Sequence, residues 1–85
     1  MVEIIDSYNA YVRQLKRKLT LMRIEQSDMQ AFEAEQEQCA AVIRDSVSDY
    51  REQQKPIDNE LNARIQENRQ RMKEVTDRIT EKYFG

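Results

Sequence analysis

The chain has 85 residues, 35% of them charged, with one Gly, one Pro, one Cys, no His and a formal net charge of −2. That length allows one small domain over residues 1–85 and no large core. So little Gly and Pro excludes a sandwich, a barrel or a Gly-rich phosphate loop, and the near-neutral charge argues against a dedicated nucleic-acid binder.

The remaining composition is rich in Ala, Glu, Gln, Lys, Arg, Leu and Met, which lose little side-chain freedom in a helix. An all-α fold is expected. The first helix, over about 3–25, carries Ile5, Tyr8, Val12, Leu15, Leu19 and Met22 at alternating steps of three and four. That spacing holds apolar side chains on one narrow stripe, as in a coiled coil. Glu3 and Asp6 suit the positive end of its dipole.

A break is expected at 26–28, where Ser27 would cap the next helix and Gln30 would reach back as a capping box. The second helix, about 28–54, continues the stripe at Met29, Phe32, Gln36, Cys39 or Ala40, Ile43, Val47 and Tyr50. Its weakest stretch is 45–49, where short polar side chains compete for the backbone and a turn is an alternative.

Pro56 pushes Lys55 out of the helical region and fits a first helical turn. It places the third helix at about 56–84, with Asp58 and Glu60 in its first turn. The third stripe is Ile57, Leu61, Ile65, Asn68, Met72, Val75, Ile79 and Tyr83, with Glu67–Arg71 and Glu74–Arg78 as i,i+4 pairs and Gly85 as a terminal cap.

Three helices of similar length predict a small antiparallel bundle of coiled-coil type. The charge blocks agree, because residues 1–25 balance to +2, 26–54 to −5 and 55–85 to +1. A reversal near residue 26 would bring Arg13, Lys16, Arg17 and Lys18 alongside Glu33, Glu35 and Glu37. The alternative is a long two-helix hairpin, since one heptad phase runs unbroken from Ile5 to Leu61, although Gln26, Glu33, Gln36 and Gln54 occupy four of its positions. Polar residues on a seam, these and Asn68, either fix register or mark where the stripe leaves the core.

No enzymatic constellation is present. Without His, catalysis would rest on carboxylates, Lys, Tyr or Cys39, and Cys39 has no basic neighbour to activate it, so it is expected as a small buried apolar group. Glu33 and Glu37 share a helix face but lack the partners of a metal site, so no metal or other cofactor is expected. A single Cys forms no intrachain disulfide, and no apolar run is long enough to cross a bilayer or to serve as a signal peptide, so a cytoplasmic location is expected.

The expected function is non-enzymatic: an adaptor, chaperone or assembly subunit whose apolar seams hold a second copy or a helical client protein. In size and hairpin-like plan the chain resembles small accessory chaperones of bacterial secretion systems, although it has no Trp for a Trp-x-Gly turn. Tyr83 and Phe84 would pack on the bundle's end or meet a partner. The rival expectation is nucleic-acid or membrane-surface binding through 8–23, using Arg13, Lys16, Arg17, Lys18 and Arg23.

Overall fold

A computed structural model describes residues 2–84, with side chains from Ile4 onward. It contains α1 (Val2–Leu21), α2 (Gln26–Glu52) and α3 (Asn59–Phe84), and no strand among the described residues. The three pack as an up-down-up bundle measuring 45 × 17 × 16 Å. At 1.5 Å per residue α1 spans about 30 Å and the other two about 40 Å, so α1 covers only part of the α2–α3 hairpin. The alternative two-helix hairpin is thereby set aside, and the stretch 45–49 stays helical throughout.

The stripes become the core. Tyr8, Val12 and Leu19 of α1 meet Phe32, Cys39, Ile43, Val47 and Tyr50 of α2 and Leu61, Ile65, Met72, Val75 and Ile79 of α3, all buried. Ile4, Ile5, Leu15, Met22, Ile24, Met29, Ile57 and Tyr83 flank them, partly buried. Phe32, Leu19, Leu61 and Met72 are the largest side chains wholly withdrawn from water, each contributing about 1.5–3 kcal/mol of transfer free energy.

The unbroken heptad phase is not structural. Gln26, Glu33, Ala40 and Gln54 are exposed, while Phe32 and Cys39, one residue earlier than the extrapolated positions 33 and 40, are buried. Gln36 is half-buried. Of the polar seam residues only Asn68 is deep in the core; its Nδ2 donates to the Arg64 carbonyl at 2.7 Å, and its Oδ1 is buried without a partner.

Both connections differ from the sequence expectation. The first lies at 22–25, not 26–28: Arg23 takes φ 55°, and its N–H donates to the Thr20 carbonyl. Glu25 is the N-cap of α2 and makes no side-chain capping bond, so the Ser27–Gln30 capping box is not formed. The second connection covers 53–58. Gln54, at φ 55°, donates to the Arg51 carbonyl, and Lys55 N–H reaches the Tyr50 carbonyl at 2.9 Å. This pair of bonds is a Schellman closure with Gln where Gly is usual. Pro56 lies in the connection, not in the first turn of α3, because Asp58 takes the capping role: its Oδ1 accepts from Leu61 N–H at 2.9 Å. Gly85 and the side chain of Glu3 lie outside the described residues.

Candidate functional site

α1 packs principally on α3 and only lightly on α2, so the α1–α2 side of the bundle does not close. The result is a groove of about 470 Å³ between the first half of α1 and the second half of α2. Ile5, Tyr8, Ala40, Ile43 and Val47 supply its apolar surface; Asn9, Arg44, Ser48 and Arg51 complete the lining. The α2 members recur at steps of three and four, so they share one face of that helix. Asp45, Asp49 and Glu52 each follow a rim residue by one position, about 100° further round the helix, and none of them lines the groove. Of the charged residues in the most acidic third of the sequence, only Arg44 and Arg51 line this groove. Neither Arg44 nor Arg51 makes an ion pair or a side-chain hydrogen bond among the described residues.

Beyond the groove, Lys16 Nζ meets Glu33 at 3.4 Å. Among the described residues this is the only ion pair of the expected match between the basic run and the acidic block. Glu35 turns to α3 instead, where Arg71 Nε and Nη2 approach its Oε1 at 2.8 and 2.6 Å, and Arg71 Nη2 also reaches Gln38 at 3.4 Å. Arg71 therefore does not pair with Glu67, nor Arg78 with Glu74; the i,i+4 pairs formed are Glu60–Arg64 and Lys73–Asp77. The guanidinium beside Glu35 is itself held more firmly protonated by that carboxylate.

Cys39 sits behind this pair, fully buried, its Sγ 3.8 Å from Glu35 Oε1. Burial pushes its thiol pKa up, so the sulfur stays protonated and unreactive. Tyr8 beside it is pushed up to about 12, first by burial and then by Cys39, and its hydroxyl is buried without a hydrogen-bond partner of ordinary geometry. Glu33, expected to share a face with Glu37, is engaged by Lys16, and no group of three or more His, Cys, Asp or Glu suited to a metal ion occurs among the described residues.

Every seam residue expected from the sequence lies in or against the core, except Phe84, which is 74% exposed. Tyr83 has a specific place: its hydroxyl accepts from Glu25 N–H at 2.7 Å and donates to Asp28 Oδ2 at 2.6 Å, while Lys82 Nζ reaches the same carboxylate at 3.1 Å. Of the basic group, Arg13, Arg17, Lys18 and Arg23 are exposed and outside any ion pair among the described residues. On α3, Arg69 lies over the Tyr11 ring with Cζ 4.1 Å from its centroid. Ala40 carried a sequence signal only as the alternative to Cys39 on the stripe, and the groove residues Asn9, Arg44, Ser48 and Arg51 carried none beyond the seven-residue spacing of the two arginines, because the groove depends on how α1 and α2 diverge. Among the described residues no helix is long and apolar enough to cross a membrane.

Comparison with known proteins gives no match of the chain to a protein family, to a curated protein or to a solved structure.

Proposed function

We propose that the chain is a non-enzymatic helical interaction module, an adaptor, chaperone or assembly subunit, that presents the α1–α2 side of its bundle to another protein. The observation that supports this is the groove itself. The seams are mostly used within the chain, yet Ile5, Ala40 and Val47 line an open channel that a further helix would cover.

The rival reading, an anionic polymer or membrane surface meeting 8–23, draws on the exposure of Arg13, Arg17 and Lys18. Against it stands the formal net charge of −2 over the whole chain.

Mass in solution tests both, for the chain purified alone and with whatever copurifies from its native source. An assembly that survives about 0.5 M salt and is lost on Ala40→Trp, which fills the groove from an exposed position, supports the interaction reading. An assembly dispersed by salt and indifferent to Ala40→Trp supports the rival. A lone monomer that turns over a substrate overturns both.

A further inference from the structure

Charge and spacing say what kind of partner fits the groove. From Ala40 to Arg51 the α2 wall is about 16 Å long, three helical turns. Arg44 and Arg51 stand seven residues apart on that wall, two turns along the same face, and the lining contains no acid to answer them. Ala40 and Ser48 are small, which permits close approach of a second backbone.

A second copy of this chain is disfavoured at this place. A two-fold contact sets the same patch against itself, so groove on groove would bring the lining arginines together, and the lining itself holds no carboxylate to answer them. A single-headed amphiphile such as a long-chain carboxylate would answer one arginine and leave the other unmet.

We infer that the α1–α2 groove docks three turns of an amphipathic helix from a different protein, its apolar side on Ile5 and Ala40 over the groove floor at Val47 and two acidic residues seven apart on Arg44 and Arg51. This rests on the reading of the chain as an interaction module. It goes further by fixing the partner's secondary structure, its charge and the spacing of that charge.

The experiment uses the full chain and a synthetic helix-forming peptide with Leu on one side and two Glu seven apart on the flank, against the same peptide with Lys at those two positions. The Glu peptide is expected to bind, with amide shifts in the magnetic resonance spectrum confined to 5–9 and 40–51. The double variant Arg44→Glu/Arg51→Glu, folded by circular dichroism, is expected to lose binding of the Glu peptide about tenfold or more and to gain binding of the Lys peptide. A merely structural role for the arginines would not produce that exchange of preference.

The inference is overturned if the Glu peptide fails to bind at about 1 mM, if it binds wild type and double variant alike, or if its shifts fall on 11–23. It is also overturned if dodecanoate displaces the peptide and binds more tightly than it does. Ala40→Trp separates the two levels of the argument. If it dissolves a native complex although the Glu peptide does not bind, the module reading stands and this occupant falls; if it dissolves nothing and the peptide does not bind, both fall.

Discussion

The two ends of the bundle are joined by the same parts in different wiring. Each connection contains one non-glycine residue at φ 55°, Arg23 in the first and Gln54 in the second. Each also contains a tyrosine hydroxyl donating to an aspartate at 2.6 Å, Tyr83 to Asp28 and Tyr50 to Asp58. In the second connection the partners are eight residues apart, Asp58 caps α3 with its own side chain, and Lys55 lies over the Tyr50 ring at 5.5 Å from its centroid. That turn closes from its own residues. In the first, the N-cap residue supplies no side-chain bond, and closure comes from Lys82 and Tyr83 at the far end of α3. The lesson is that the α2–α3 hairpin draws its side-chain bonds from its own residues, whereas the α1–α2 connection has local backbone bonds only and takes its side-chain bonds from the far end of α3.

The largest effects that test this contrast are core truncations near each end. Phe32→Ala, two turns into α2 from the first connection, should cost about 3–5 kcal/mol, and Leu61→Ala, in the first turn of α3, about 2–5 kcal/mol by denaturant unfolding. Hydrogen exchange should show α1 opening before the hairpin in the Phe32 variant. If the hairpin opens first there, the contrast is broken.

Next in size are the hydroxyls. Tyr83→Phe keeps the ring and removes both bonds, so the amides of Glu25 and the end of α1 should exchange faster although the change is nearly sixty residues away in sequence. Tyr50→Phe should disturb only residues around 50–62. Equal reach of the two substitutions would contradict the difference in wiring.

Titration sharpens the comparison at both ends. Hydrogen bonds from Tyr83 and Lys82 hold the Asp28 carboxyl below its ordinary 3.8, and bonds from Tyr50 and Leu61 N–H do the same for Asp58. Each aspartate binds a proton less readily folded than unfolded, so its contribution is present above about pH 4 and is lost as pH falls through the depressed folded value. Tyr50, facing the Asp58 carboxylate, is pushed up to about 12, and Tyr83 is raised by Asp28. Their contributions hold below about pH 10 and fade as pH rises through the raised folded values. Amide shifts of Glu25 and Leu61 should follow these two windows, and Tyr83→Phe should abolish the alkaline step at Glu25 alone.

The smallest effects concern the backbone. Gln54→Gly and Arg23→Gly should each stabilise by about 0.5–1 kcal/mol, since glycine takes positive φ without a Cβ penalty. A loss in either case would show that the side chain, rather than the left-handed backbone, fixes that turn.

These particulars explain what the sequence made legible. Stripes on α1 and α3 were readable residue by residue because apolar spacing is a local property, from Ile5 to Met22 and from Leu61 to Tyr83. In α2 the stripe was readable at Phe32, Ile43, Val47 and Tyr50 and open between Cys39 and Ala40; only the unbroken heptad phase, which put Glu33 and Ala40 on the seam, fell one residue off. Pro56 was taken as a helix start although Asp58, a standard capping residue, stood two positions on. The first connection was misplaced by a few residues because Ser27 and Gln30 imitate a capping box, while Arg23 and Glu25 are not turn-forming residue types and the Glu25 amide is met from Tyr83, far along the chain. The groove lay beyond sequence reach for the same kind of reason, since it arises where α1 leans onto α3 and away from α2.

The tether from Tyr83 also bears on the order of assembly. A polypeptide made from its N-terminus finishes its earliest bend late: α1 and α2 emerge without the hydroxyl that holds the Glu25 amide and Asp28 at the start of α2, and the α2–α3 pair brings that hydroxyl in only from the end of α3. The first helix rests mainly on the third, so its greasy stripe has its full shelter only once that last helix is in place.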